Sequence, residues 1–183
     1  MTESTDGIRD RLLHAATLAL AVLLLPFAAL TAPGHARFVA CQWALGLRFP
    51  RENLSGLTPA TRSAFTEARA VAFWRDRQLI GLTSGHRDAD EQFRLYTEEV
   101  RRTGSTAAAR RRVLPPEESG HVRGTALDIR PREGAHWLEL HGAAHDLHRT
   151  YDNEWWHFEY LPNHRGRPPL RRAHPGVPLR HAA

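Results

Sequence analysis

The stretch Ser119–Asp128, SGHVRGTALD, runs on through Ile129, Arg130 and Pro131, and the fold is decided by how it is read. From Thr125 the residues alternate. Leu127 and Ile129 fall on one face and Ala126 and Asp128 on the other, because successive side chains of a strand point opposite ways. The segment is therefore a bend entering a strand, with His121 in the bend and a carboxylate inside a strand whose other face is apolar. Gly124 has the backbone freedom to swing His121 back toward Asp128. Alone, such a histidine or aspartate is ordinarily a hydrogen-bonded or solvent-facing residue. Together they ask for a third partner elsewhere in the chain.

That partner stands about 30 residues on. Trp155–Leu161, WWHFEYL, alternates as a second strand, with Trp156, Phe158 and Tyr160 on one face and Trp155, His157 and Glu159 on the other. His121, Asp128 and His157 make a His, Asp, His set, which with one water is the open tetrahedral arrangement of a catalytic zinc site. Hydrolysis at such a site also needs a general base to carry a proton to the leaving amine. On chemistry alone three residues compete for that role. Glu154 stands at the strand entrance, where YDNE breaks the period; Glu159 shares the face of His157; Asp152 lies just before.

Composition agrees with a metal site of this kind. The single cysteine, Cys41, excludes an internal disulfide framework and any multi-cysteine zinc site, leaving the 12 histidines and the carboxylates as ligands. All 25 basic residues are arginine, a coding bias that removes the net charge of +5 as an argument for nucleic acid. At 183 residues the chain suits one domain with extensions.

The first extension is residues 1–36. Ala15–Thr31, AATLALAVLLLPFAALT, is almost uninterruptedly apolar and follows Arg9 and Arg11, the layout of an export signal or an N-terminal membrane anchor. Gly34-His35-Ala36 has small residues at the cleavage-defining positions, whereas Glu3, Asp6 and Asp10 cancel the positive charge of a signal peptide and Leu12 and Leu13 lengthen the apolar run toward a span. Either route exports the protein. Without residues 1–36 the chain holds 23 arginines against 17 acids, a net +6, which favours an anionic envelope over nucleic acid as surroundings.

Between the leader and the site, residues 37–57 show no clear period and read as a lead-in. Thr58–Arg77 has helix grammar, with Thr58 as cap, Pro59 in the first turn and Ala64, Phe65, Ala68, Val71 and Ala72 on one stripe. Gln78–Ser84 is a short strand, Asp88–Gly104 a second helix with acids first and arginines last, Thr106–Arg112 a third, and PPEESG (Pro115–Gly120) a loop. Gly134–Leu147 reads as a helix with Trp137, Leu140 and Ala144 on one stripe. The tail from Pro162, rich in Arg and Pro and without acids, has little to bury and reads as disordered. Helices with short strands scattered among them, and no βαβ rhythm, make the class α+β, with a small antiparallel sheet flanked by helices. The catalytic domain is expected over residues 37–161 and the basic tail over 162–183.

These residues resemble a known family. SGHVRGTALD matches the S-x-H-x-x-G-x-A-x-D motif of the VanY-type D-alanyl-D-alanine carboxypeptidases, relatives of the VanX-type dipeptidases, at every defined position. EWWHFEY (Glu154–Tyr160) resembles their E-x-W-H signature and TSGHRDADEQ (Thr83–Gln92) their S-G-[YW]-R-S-x-x-x-Q segment. The resemblance covers roughly residues 55 to 162 and implies a zinc D,D-peptidase, hedgehog-like fold. It implies one zinc ion on His121, Asp128 and His157, Glu154 as catalytic base and Arg87 as the cation that steadies the substrate carbonyl. Ser119 and Gln92 match positions that hold substrate or shape the pocket. His86 stands where the family has an aromatic and Asp88 where it has serine, both expected to border the substrate; AHDL (Ala144–Leu147) replaces a more aromatic turn.

The implied activity is removal of the terminal D-alanine from peptidoglycan stem peptides by an exported monomer, secreted or anchored on the outer face of the cytoplasmic membrane. The alternatives are a D-Ala-D-Ala dipeptidase, a stem-peptide endopeptidase, or a catalytically silent zinc-bearing wall-binding module. The arginines of the tail offer contacts to anionic wall polymers.

Overall fold

The helix after Thr58 forms as its sequence asks. In the computed structural model, which describes residues 2–164 and 168–177, α3 spans Pro59–Asp76 and the Thr58 hydroxyl accepts from the Thr61 backbone N–H at 3.1 Å. Ala64, Phe65, Ala68 and Ala72 are buried, but Val71 is exposed, and Phe73 takes the inward position instead. Before α3 come α1 (Thr2–Thr31) and α2 (Ala36–Arg48). After it come β1 (Gly81–Ser84), α4 (Ala89–Thr103), α5 (Thr106–Ala109), β2 (Ala126–Arg130), α6 (Arg132–His141), β3 (Leu147–Arg149) and β4 (His157–Tyr160).

The strands make one four-stranded sheet in the order β1-β2-β4-β3, every neighbour antiparallel. Leu127 faces Phe158 across the β2–β4 ladder and Leu82 faces Ile129 across β1–β2. All four are buried and pack with Phe65, Ile80, Leu138 and Leu147 into the main core between the sheet, α3 and α6. The architecture is the α+β arrangement that the alternation of Thr125–Pro131 and Trp155–Leu161 leads one to expect, with both strands shorter than their patterns.

Several elements differ from the sequence reading. The lead-in contains α2, whose Ala40, Cys41, Ala44 and Leu45 are fully buried with Ala21 of α1 and Phe73 of α3. Small residues on that face make a weak hydrophobic signal, and the period shows only once α1 and α3 supply partners. Just after α2, Glu52 joins the layers. Its carboxylate pairs with buried Arg69 of α3 at 2.9 Å and accepts from the Leu82 backbone N–H at 2.5 Å, while Arg69 Nε donates to Gln42 of α2 at 2.6 Å. In α6 the buried residues are Gly134, Ala135, Trp137 and Leu138, and Leu140 is 65% exposed. The helix ends at His141 because the chain must turn through Gly142–His145 into β3, a three-residue strand too short to carry a periodic signal.

The tail is the clearest departure. Residues 168–177 are not disordered but lie along Thr150–Asn153, with Arg172 N–H donating to the Thr150 carbonyl at 3.0 Å and Asp152 N–H to the Arg172 carbonyl at 2.9 Å. The backbone of an acid-free, proline-rich segment finds partners that no local pattern announces. Residues 165–167 and 178–183 lie outside the described residues.

Candidate metal centre and the cavity around it

Antiparallel pairing puts directly opposed side chains on the same face of a sheet, and Asp128 opposes His157 in the β2–β4 ladder. The bend before β2 brings in His121. Gly124 N–H donates to the His121 carbonyl at 3.1 Å, and Thr125 and Ala126 N–H both reach the Gly120 carbonyl. Gly124 has φ +70, and a Cβ there would lie 2.4 Å from the Gly56 carbonyl oxygen. Gly124→Ala is therefore expected to cost at least about 2 kcal/mol, from the left-handed backbone and the clash together, read as a lower urea midpoint.

One ligand-type atom from each of His121, Asp128 and His157 lies within 4.8 Å of the other two, and all three residues are buried. Asp128 Oδ1 is 3.4 Å from His121 Nε2 and 3.1 Å from His157 Nδ1. The far side of each ring is also engaged. His121 Nδ1 lies 2.7 Å from the Gly85 carbonyl oxygen, which can only accept, so Nδ1 carries a proton and Nε2 faces the cluster. His157 Nε2 lies 3.3 Å from Glu159 Oε1, leaving Nδ1 to face the cluster. Rings held from behind by a carbonyl and a carboxylate are the usual support of metal-binding histidines.

The electrostatics fit a cation. Burial alone would raise the carboxyl of Asp128, but hydrogen bonds from His121 and His157 and their charges outweigh it and hold it well below the usual carboxylate range. Burial disfavours the charged His157 ring too, yet its hydrogen bonds to Asp128 and Glu159 push it up to about 10. The positive charge that His157 carries between two carboxylates is what a metal cation at Nδ1 would take over. Two nitrogens and a carboxylate oxygen, converging and buried, form a donor set of the zinc type.

Glu154 stands just before β4, where His157 N–H turns back to the Glu154 carbonyl at 3.4 Å. Its carboxylate approaches His157 Nδ1 to 3.9 Å. Burial, helped by the charge of Asp128 and opposed by His157, Arg112 and Arg87, raises it to about 7. Arg87 spends its guanidinium on three partners: Nε donates to Ser84 at 3.0 Å, Nη1 to Gln92 at 3.1 Å and Nη2 to Asp128 Oδ2 at 2.9 Å. Gln92 is buried, its Nε2 donating to the Leu114 carbonyl at 2.7 Å, so both ends of its amide are committed. A cavity of about 580 Å³ opens on the cluster, lined by Arg87, Gln92, Ser119, Glu154 and Arg112 among others.

The other candidates lie elsewhere. Glu159 is behind His157, its Oε1 also accepting from Thr150 Oγ1 at 3.2 Å and Tyr151 OH at 3.1 Å. Asp152 pairs with Arg171 at 3.2 Å on the surface. His86 and Asp88 do not line the cavity. The His86 ring packs against Gly56, and Asp88 opens α4. Tyr151, unremarked in the sequence, stacks on the His157 ring at 4.9 Å between centroids. Its only sequence signal is that it follows β3 and precedes the break in period at Asp152 and Asn153.

The sequence model of the VanY family, D-alanyl-D-alanine carboxypeptidase, matches residues 55–149. A VanY D,D-pentapeptidase variant from a VanB-type vancomycin resistance cassette, in complex with Zn(II), superposes with a TM-score of 0.51 at 24% identity over 60% of this chain and 76% of that one. VanYB in complex with D-alanine-D-alanine superposes with a TM-score of 0.55 at 22% identity, over 63% and 78%. The LD-carboxypeptidase LdcB gives 0.51 at 21% identity, over 57% and 58%. These likenesses carry the fold. No curated protein matches the sequence. The matched segment takes in more than half of the chain, including Arg87, Gln92, Ser119, His121 and Asp128, and the β2–β4 register adds His157. The chain belongs to the VanY family of D-alanyl-D-alanine carboxypeptidases.

Proposed function

We propose that the protein is a zinc-dependent D-alanyl-D-alanine carboxypeptidase that removes the terminal D-alanine from peptidoglycan stem peptides. The observation that carries this reading is the buried His121, Asp128 and His157 cluster with the Glu154 carboxylate beside it in an open cavity. The Zn(II) and D-alanine-D-alanine complexes of structurally similar proteins support it. His121 Nε2, an Asp128 oxygen and His157 Nδ1 hold one zinc ion. Zinc, when bound there, supplies Lewis acidity at the scissile carbonyl and acidifies a water nucleophile.

The remaining work falls to side chains. Glu154, raised toward neutrality by burial, accepts a proton from the attacking water and returns it to the leaving amine. Arg87, braced by Ser84 and Gln92, presents a fixed cation to the oxygen on which negative charge grows. Ser119 contacts the bound peptide from the cavity wall, and Gln92 shapes the pocket by holding Arg87.

The zinc-loaded full chain is expected to release one D-alanine per molecule of a pentapeptide ending in D-Ala-D-Ala. A zinc-saturated protein that releases none would be a silent wall-binding module. Release of two D-alanines from the free dipeptide, or cleavage inside the stem, would move the activity to a dipeptidase or endopeptidase.

The same reading places the enzyme outside the cytoplasmic membrane, held there by residues 1–36, with the metal ligands, base and Arg87 all supplied by residues 37–161. Gly7–Thr31 is long and apolar enough to span a bilayer. Its Ala21 joins Cys41, Ala44 and Leu45 in a buried cluster, while Leu12, Leu23, Phe27 and Leu30 are exposed. Cleavage after Ala36 would strip that cluster of α1, which favours the retained leader of the two routes. Membrane fractions are expected to retain the intact chain through a high-salt wash, and a soluble mature form beginning at Arg37 would overturn the anchor.

A further inference from the structure

The docked tail reaches the metal cluster from behind. Arg172 pairs in parallel with Tyr151, and its side chain covers the same residue. Nη2 donates to Tyr151 OH at 2.8 Å, the guanidinium carbon sits 4.7 Å from the ring centroid, and Nη1 donates to the Val177 carbonyl at 3.1 Å. Asn153 N–H to the Ala173 carbonyl at 3.3 Å and Arg171 Nε to Asp152 at 3.2 Å fix the strap on either side of this contact. Beyond Arg172 the chain turns so that Pro175 joins the lining of the cavity on the metal cluster. A Cβ on Gly176 would stand 3.0 Å from the Arg110 carbonyl oxygen, so this turn lies close on the domain.

The hydrogen-bond directions along this route are forced. A guanidinium only donates, so the Tyr151 oxygen accepts from Arg172 and its own proton must go to Glu159 Oε1, 3.1 Å away. Carboxylate Oε1 only accepts, so His157 Nε2, 3.3 Å from it, is the donor, and Nδ1 is the nitrogen left for the cluster. The Tyr151 ring, stacked on His157 with an interplanar angle of 29°, limits tilt of the imidazole. Tyr151 and Glu159 are buried, so the relay is shielded from water.

We infer that the strap Pro168–Val177 is part of the active site: Arg172 is a positioning residue that sets the ring of His157 through Tyr151 and Glu159, and Pro175 forms a wall of the substrate cavity. The inference rests on His157 being a metal ligand. Glu159 and Tyr151 touch the His157 ring directly, and losing a partner of that kind typically lowers metal affinity about 10- to 100-fold; Arg172 stands one contact further out and acts through Tyr151.

The test uses the full chain and reads zinc affinity by chelator competition and the visible spectrum of the cobalt-substituted protein, neither of which depends on peptide turnover. Arg172→Leu is expected to weaken zinc by less than the roughly 10-fold lost with a direct partner of the ligand, yet measurably, and to shift the cobalt bands, with Arg172→Lys recovering most of the affinity. Tyr151→Phe keeps the stacked ring and deletes only the relay, so it should move both readouts the same way, and it serves where Arg172→Leu does not fold. Pro175→Gly is expected to change KM for the pentapeptide several-fold at unchanged kcat and zinc affinity. Wild-type zinc affinity and cobalt spectrum in folded Arg172→Leu and Tyr151→Phe would overturn the positioning role, and an unchanged KM in Pro175→Gly would overturn the wall. If the wild type binds zinc but releases no D-alanine, the proposed activity fails while the affinity arms still decide the role of Arg172.

Discussion

Replacing Glu154 with glutamine is expected to lower kcat on a D-Ala-D-Ala-terminated pentapeptide by about 10³-fold while leaving zinc content at one ion per chain. The size is that of a positioned general base, which contributes about 10²- to 10⁴-fold. The amide fills the same space but cannot take a proton. Zinc should stay because Glu154 is not one of the three converging donors, and its nearest approach to His157 Nδ1 is 3.9 Å. Burial raises the carboxyl above its ordinary range, the direction that strengthens it as a proton acceptor. A variant that keeps a tenth or more of the wild-type kcat would show that another group carries the proton, and Glu159 is no substitute because His157 lies between it and the cavity.

Asp128→Ala is expected to remove the metal altogether, with zinc below a tenth of an equivalent after dialysis and turnover at background. This carboxylate is the hub of the site. One oxygen lies within 3.4 Å of both histidines and the other takes Arg87 Nη2 at 2.9 Å. Its loss also leaves a largely buried guanidinium without its anion, and breaking a buried pair from one side costs about 3–5 kcal/mol, so the metal-free variant should melt well below the metal-free wild type. Asp128→Asn keeps the shape and part of the hydrogen bonding, and should lose zinc with a smaller loss of stability. Full zinc stoichiometry in Asp128→Ala would sink the ligand assignment.

Legibility from sequence followed the range of the interactions involved. Asp128 and His157 could be placed on strand faces because a period of two is local, and the apolar neighbours Leu127 and Phe158 show which face is core. The order Ser119, His121, Asp128, Glu154, His157 carries the resemblance. Val71 and Leu140 fit the helical stripes yet are exposed, because a helical period leaves the stripe's edge undecided until a neighbour packs against it. α2 was invisible because its buried face is made of alanines, a cysteine and one leucine, ordinary residues until α1 and α3 cover them.

What the chain determined by itself is the chemistry: an α+β domain with two histidines, two carboxylates and an arginine in family order, behind an apolar leader. What only the tertiary structure decided is which groups stand behind that chemistry. Glu159, a rival for the base by strand pattern, became the support of His157, and Arg172, in a tail whose composition reads as unfolded, came to rest on Tyr151. The physical reason is that a ligand's identity is written in its own side chain, whereas its support depends on hydrogen bonds and stacking between residues that meet only when the β2–β4 register forms and the tail docks.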